Sequence, residues 1–163
     1  MSTSYSYDKT YHTNFKSEGK LTIQSMEILN SEDMRFEYNQ AIILRLDCHA
    51  RKPISGVKFR FEIKFQDGIR TGTAFTNVSV DLPELDNQFE IVFDLSHLAP
   101  GRYYADIIAY QYDGFGNEVF LDGVYPGIAF EILETLTNDN QLIWLNKWWG
   151  NVHLHDASIK RIE

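Results

Sequence analysis

One stretch of nine residues constrains the fold of this chain more than any other. Residues 57–65 read Val-Lys-Phe-Arg-Phe-Glu-Ile-Lys-Phe, so apolar and charged side chains occupy alternate positions. Because successive side chains of a β-strand point to opposite faces, this pattern gives one wholly apolar face and one wholly charged face. The stretch therefore predicts a half-buried strand, and its apolar face requires a second layer of strands to cover it.

Further segments show the same alternation, and none has helical periodicity. Cys48 is the single cysteine, which excludes an internal disulfide and with it a true antibody domain. Tyr103 follows a turn at residues 98–101, in the position of a tyrosine corner. Seven short strands separated by turns predict an all-β fold, an immunoglobulin-like antiparallel β-sandwich with an extra C-terminal strand. The strands are predicted at residues 21–29, 41–50, 57–65, 70–80, 89–95, 102–112 and 128–132, with a hairpin at Asp67-Gly68 and loops at 83–87 and 113–117.

The composition divides the chain into three parts. Residues 1–18 are polar and predict a linker or flexible arm, although the aromatic residues Tyr5, Tyr7, Tyr11 and Phe15 at odd positions leave open a loosely held edge strand. Residues 19–134 contain the sandwich. Residues 135–163 form a C-terminal extension that holds all three tryptophans.

The apolar side chains of the extension require a partner surface. A sandwich with seven strands is complete without them, so they must pack either on their own domain or on a second copy of the chain. Exchange of this strand between two copies would bury these side chains on the second copy, and we therefore expect a homodimer. The predicted interface consists of Ile143, Trp144, Leu145, Trp148, Trp149, Val152 and Leu154.

Charge and motifs exclude several classes of function. A net charge of −8 and a pI of about 5.1 disfavour a nucleic-acid partner. The chain has neither a phosphate-binding Gly-x-x-x-x-Gly-Lys-Ser/Thr loop nor a Gly-x-Ser-x-Gly nucleophile elbow, and we expect no cofactor. His153, His155 and Asp156 could contribute metal ligands, but without a further ligand an exposed polar cluster is favoured and no metal is predicted.

The charged faces of two predicted strands suggest a binding surface. Strands 57–65 and 102–112 belong to one sheet of such a sandwich, adjacent or nearly so. Tyrosine rings can stack on the apolar C–H faces of sugars, while fixed carboxylate and guanidinium groups can bond their hydroxyls. An ordinary solvated face with charge pairs across strands is the alternative. Catalysis is disfavoured, because a flat sheet face does not exclude water from acids such as Glu62 and Asp106. Lys64 lies on the same predicted face. The candidate carbohydrate-binding residues are Arg60, Glu62, Tyr104, Asp106, Tyr110 and Tyr112.

A set of motifs in fixed order identifies a resemblance. They are Gly19-Lys-Leu-Thr-Ile with Glu27-Ile-Leu, Phe65-Gln-Asp-Gly-Ile-Arg-Thr-Gly-Thr, Leu98-Ala-Pro-Gly-Arg-Tyr, Ile128-Ala-Phe-Glu-Ile and Trp149-Gly-Asn-Val-His-Leu. Over residues 19–155 the chain resembles the C-terminal carbohydrate-binding domain of the ATP-binding subunit (Wzt type) of ABC exporters for O-antigen and related polysaccharides. The resemblance implies an immunoglobulin-like sandwich that binds a lipid-linked glycan in the cytoplasm, often at its non-reducing end. It also implies dimers formed by exchange of the C-terminal strand.

The leading hypothesis is thus a non-catalytic domain that recognises a polysaccharide for export. By resemblance its partners are the nucleotide-binding and membrane subunits of an ABC transporter, at the inner face of the membrane. The nucleotide-binding domain that precedes this domain in the family is absent from the sequence. Two alternatives remain: a structural dimerisation module without sugar binding, and a glycosidase-like enzyme.

Overall fold

A computed structural model describes residues 3–8, 10–12, 19–134, 136–137, 140–141, 144–154 and 157–162. It confirms the predicted all-β sandwich. Among the described residues, no helix is long and apolar enough to span a membrane. The elements are β1 (Ser4–Ser6), β2 (Leu21–Ile28), β3 (Arg35–Phe36), β4 (Ala41–Ala50), β5 (Ile54–Phe65), β6 (Arg70–Phe75), β7 (Val80–Leu82), β8 (Leu85–Asp94), β9 (Gly101–Tyr112), β10 (Glu118–Ile132), β11 (Leu136–Thr137), β12 (Asn140–Gln141) and α1 (Asn146–Trp149).

The strands form two principal sheets. The first sheet has the order β1-β2-β4-β8 and is antiparallel throughout. The second has the order β3-β10-β9-β5-β6, with β7 also paired to β5. Only the short β3 runs parallel to its neighbour within the described part of this sheet. Strands β11 and β12 form a separate small hairpin.

Strand β5 lies in the interior of the second sheet, as its alternating sequence requires. All five side chains of its predicted apolar face are buried, from Val57 at 0% to Phe65 at 8% exposed. Phe61 stacks on Phe93 of the opposite sheet with 4.8 Å between ring centroids. Each buried ring of this size contributes about 1.5–3 kcal/mol through removal of apolar surface from water. The central strand therefore joins the two sheets through its phenylalanines.

Two local predictions are confirmed by hydrogen bonds. The Gly68 N–H donates to Phe65 O at 2.8 Å in the hairpin turn, where Gly68 has φ of +84°. The Tyr103 hydroxyl donates to Ala99 O at 2.7 Å, four residues upstream, which is a tyrosine corner. Cys48 is fully buried in the core, and burial raises the pKa of its thiol.

Other strand boundaries differ from the prediction. The segment at 70–80 is divided into β6 and β7, and between them Thr76 bonds the backbone of Phe59 through both its N–H and its hydroxyl. The loop predicted at 83–87 is shorter, since Leu85 already pairs with Ala50. The last core strand, predicted at 128–132, begins at Glu118 and includes two irregularities of register.

The N-terminal arm, described at residues 3–8 and 10–12, is an edge strand followed by a turn. Strand β1 pairs with β2, and the Tyr7 N–H donates to Gln24 O at 2.9 Å. The Tyr7 side chain is only 7% exposed. Residues 4–6 therefore form the edge strand that the sequence left open as an alternative, and the Tyr5 and Tyr7 side chains pack on the core.

The described residues of the C-terminal extension do not form a long strand. They form the β11–β12 hairpin, one turn of helix at α1 and an isolated bridge between Leu98 and Val152. The Asn146 amide donates to Pro100 O at 3.0 Å, and the Ala99 N–H donates to Asn151 O at 3.1 Å. The extension thus docks on the turn that precedes β9.

Candidate functional site

The second sheet brings the predicted carbohydrate-binding residues onto one surface. Strands β5 and β9 are direct neighbours, with Glu62 opposite Asp106 and Lys64 opposite Tyr104. Side chains opposite each other in a ladder share a face, so the predicted phase of both strands is correct. Their role in binding stays a prediction. We call this surface the outer face; it carries Arg60, Glu62, Lys64, Tyr104, Asp106, Tyr110 and Tyr112.

Charged groups on the outer face are paired with one another. The Lys64 ammonium contacts the Asp106 carboxylate. The Arg60 guanidinium contacts Glu118 and lies 3.7 Å from a carboxylate oxygen of Glu62. These contacts hold both acids and bases in fixed positions, with polar atoms that can still accept or donate further bonds.

The tyrosines of the outer face pack against these cations. The guanidinium carbon of Arg60 lies 5.0 Å from the Tyr110 ring centroid, and Lys64 Nζ lies 5.8 Å from that of Tyr104. Tyr112 meets Tyr110 edge-on at 5.7 Å between centroids and is 55% exposed. Cation–π contacts of this kind fix the ring orientation, which is what a stacking platform for a saccharide requires.

Two of the predicted residues are less accessible than an ordinary solvated face would make them. Asp106 is 2% exposed and Tyr110 is 1% exposed. Burial, together with the neighbouring Tyr112, raises the pKa of the Tyr110 phenol. Both side chains are therefore buried beneath their neighbours on the outer face, while Tyr104 and Tyr112 expose more of their surface to solvent.

Strand β10 bulges directly beside Asp106. Val124 pairs with Ile107 and Ile128 pairs with Ala105, so the three residues 125–127 stand opposite Asp106 alone. The bulge contains a cis peptide bond between Tyr125 and Pro126. A bulge of this kind commonly redirects a side chain, and here the side chain is that of Tyr125.

The Tyr125 ring lies beside Gly123 of strand β10, and it is near enough to Glu62, Asp106 and Arg60 to be affected by their charges. A Cβ atom at Gly123 would come within 2.7 Å of the Tyr125 ring, so this close approach requires glycine. Burial raises the pKa of the Tyr125 phenol, and the negative charges of Glu62 and Asp106 raise it further. Arg60 acts in the opposite direction. The sequence pattern missed Tyr125, because Gly123, Pro126 and Gly127 interrupt the alternation that would have given its phase.

The predicted interface residues of the extension lie at one end of the sandwich, with Ile143 outside the described residues. The Trp144 indole N–H donates to Gly150 O at 2.7 Å, and its ring packs 4.7 Å from that of His153. The other five are substantially exposed. Their exposed fractions are 46% for Leu145, 74% for Trp148, 47% for Trp149, 39% for Val152 and 71% for Leu154.

A cleft elsewhere on the surface contains no predicted site residue. It has a volume of about 370 Å³ and lies between the free edges of the sandwich, where β6 and β7 face β8. Phe59, Phe61 and Phe93 form its floor. Among the described residues, no group of three His, Cys, Asp or Glu side chains is placed to hold a metal ion.

Comparison with known proteins agrees with this architecture. The model of the Wzt C-terminal domain family matches residues 13–145. The solved crystal structure of the C-terminal domain of Wzt has a TM-score of 0.68 and 14% identity, covering 90% of this chain and 87% of that chain. The CARDB domain of the PF1109 protein from Pyrococcus furiosus, in complex with di-metal ions, has a TM-score of 0.39 and 14% identity over 79% of this chain and 100% of that chain. No curated protein matches the sequence. Because the family model spans most of its length, the chain belongs to the Wzt C-terminal domain family.

Proposed function

We propose that this chain is a non-catalytic glycan-recognition domain whose binding surface is the outer face of the second sheet. One observation carries the proposal: fixed ion pairs alternate with tyrosine rings across β5, β9 and the bulge of β10. Rings accept the C–H face of a sugar, and the paired carboxylates and cations bond its hydroxyls. Family membership supports this function.

The ligand that we propose is a lipid-linked O-antigen or a similar polysaccharide, bound near its non-reducing end for export. The partners would then be the nucleotide-binding and membrane subunits of an ABC transporter, in the cytoplasm at the inner face of the membrane. Affinity for a single chain end should be weak, because polar groups on an open surface exchange water for sugar with little net gain.

An NMR titration of the full chain with a panel of purified bacterial O-polysaccharides tests this proposal. We expect saturable shifts of the backbone amides of Tyr104, Asp106 and Tyr112 with at least one polysaccharide. Tyr112→Ala should weaken binding by about two- to tenfold, since stacking on an aromatic ring is worth about 0.5–1.5 kcal/mol beyond its area. Phe115→Ala is the matched control, because Phe115 is 93% exposed in the neighbouring loop.

A second candidate function is a dimerisation module that positions a larger assembly without binding sugar. The exposed apolar side chains of the extension favour it, Trp148 and Leu154 above all. A chain that dimerises but gives no amide shifts with any polysaccharide of the panel would support this second function over the first.

A further inference from the structure

The bulge that presents Tyr125 is supported on its second edge by the N-terminal arm. The Tyr125 N–H donates to Tyr11 O at 2.9 Å, and the Tyr7 hydroxyl donates to Gly127 O at 2.6 Å in a buried contact. His12 forms an isolated bridge with Val124. The arm therefore bonds the chain on both sides of Pro126.

These bonds matter because β9 does not fix the bulge. Residues 125–127 have no paired partners in the β9–β10 ladder, and Pro126 has no N–H to donate. With the ladder interrupted on one side, the contacts on the other side determine where the Tyr125 side chain lies.

The arm is itself anchored to the first sheet. Strand β1 pairs with β2, and the Tyr7 ring is buried. His12 Nδ1 lies 2.9 Å from Asp122 Oδ1, while Asp122 Oδ2 accepts the Ile23 N–H at 2.7 Å. Asp122 is only 6% exposed. The arm thus connects strand β2 of the first sheet to the bulge of the second.

We propose that the N-terminal arm is part of the glycan-binding site, with Tyr7 as a positioning residue that holds Tyr125 in contact with the saccharide. This inference rests on the proposed function for its ligand. The claim that the arm fixes the position of the bulge does not depend on the ligand, and it can be measured without any sugar.

Hydrogen exchange of backbone amides tests whether the arm fixes the position of the bulge. Tyr7→Phe removes the bond to Gly127 O and keeps the ring, so we expect the Tyr125 amide to exchange about three- to tenfold faster, as for the loss of one hydrogen bond. The core amide of Phe61 should be unaffected. Tyr38→Phe is the matched control, because it removes a hydroxyl bond to the carbonyl of His153 far along the chain. Equal protection of Tyr125 in both variants would overturn the inference.

A double-mutant cycle on polysaccharide affinity tests the positioning role. We expect Tyr7→Phe to weaken binding about three- to tenfold in the wild-type background. In the Tyr125→Ala background the same change should alter binding less than about twofold, because residues that act through one contact are not additive. Equal losses in both backgrounds would show that Tyr7 acts only on general stability, which contradicts the inference.

The two experiments separate the inference from the function on which it rests. If the wild-type chain binds no polysaccharide of the panel, the proposed function is contradicted. Hydrogen exchange would still decide whether the arm fixes the position of Tyr125. A wild-type chain that binds, together with a Tyr7→Phe variant of equal affinity, would overturn the inference and leave the proposed function intact.

Discussion

Asp106 is the most deeply buried charged side chain of the outer face, and the Lys64 ammonium neutralises it. Asp106→Asn keeps the shape and removes the charge, so Lys64 loses its partner in a place where its side chain is 20% exposed. We expect the free energy of unfolding to fall by about 1–3 kcal/mol, less than for a wholly buried pair, because Lys64 can partly turn to solvent. Urea unfolding of the two proteins measures the difference.

The control for this change is a hydrogen-bonded carboxylate at the surface. His49 Nδ1 lies 2.8 Å from Asp86 Oδ1, but the Asp86 side chain is 80% exposed. Asp86→Asn should change the free energy of unfolding by less than about 0.5 kcal/mol. If both substitutions cost the same, burial of Asp106 does not matter energetically.

Buried tyrosines make the fold sensitive to alkaline pH. Burial raises the pKa of Tyr7 and of Tyr103 above the ordinary value of about 10. Above pH 10 the unfolded chain releases these protons and the folded chain retains them, so stability falls as pH rises toward the raised folded pKa values. Each tyrosine contributes at most about 1.4 kcal/mol per pH unit to this fall.

Urea unfolding at pH 8, 9, 10 and 11 should therefore give a plateau followed by a decline. Tyr103→Phe should lower stability on the plateau by about 1 kcal/mol, through loss of the bond to Ala99 O, and make the decline shallower. An unchanged slope in this variant would mean that Tyr103 does not contribute to the alkaline loss.

At the level of single residues, the sequence predicted which face of the sheet a side chain occupies better than how deeply that side chain is buried. Alternation in residues 57–65 and 102–112 gave the correct face for Glu62, Tyr104 and Asp106, because the two-residue period is a local property. The burial of Asp106 and Tyr110 was not predictable from that period. It depends on side chains that other strands place beside them, such as Lys64 and Arg60.

At the scale of elements, Gly123 is the position where strand β10 admits the Tyr125 ring. A methyl group there would lie 2.7 Å from the ring, so Gly123→Ala requires the Tyr125 ring to shift from its position. We expect polysaccharide affinity to fall by about threefold or more, with a smaller effect on the urea midpoint because the ring is half-buried. Amide shifts of Tyr125 and binding isotherms measure both effects.

Gly72→Ala is the matched control in the same sheet. Gly72 also lies in a strand, pairs with the inward-facing Ile63, and has no atom within 4 Å of an added Cβ. Its replacement should leave polysaccharide affinity unchanged. An equal loss of affinity in both variants would mean that strand stiffness, and not the Tyr125 ring, causes the effect.

Strand β10 also shows why some elements cannot be read from the sequence. Glycine and proline at 123, 126 and 127 are ordinary signals of a turn, and they made the predicted strand begin too late, at residue 128. In the fold they form a bulge, since the long partner strand β9 continues past them on one side and the arm on the other. The burial of Tyr7 could not be predicted from the sequence either, because the core residues that bury it come from distant segments.

On the scale of the whole molecule, residues 144–154 of the extension are bonded to their own domain but leave most of their apolar side chains exposed. Asn146 and Asn151 fasten it to the turn at 98–101, yet Trp148 and Leu154 are 74% and 71% exposed. Apolar groups of this size on a fastened segment are typical of an interface with another molecule. A second copy of the chain is the partner that the sequence predicts, and that dimer stays a prediction.

The double variant Trp148→Ser with Leu154→Ser tests the dimer. Since both side chains are mostly in water in the single chain, their loss should change the free energy of unfolding of the monomer by less than about 1 kcal/mol. In the dimer they would be buried, and each should contribute about 2 kcal/mol or more to association if it lies at the centre of the interface. Sedimentation over a range of concentrations should give a dimer for the wild-type chain and a monomer for the variant.

The matched control is Phe75→Ser with Val78→Ser, a pair that is 61% and 63% exposed beside the edge cleft and outside the extension. A wild-type chain that sediments as a monomer at every concentration, or a control pair that dissociates the dimer equally well, would contradict an interface built on the extension.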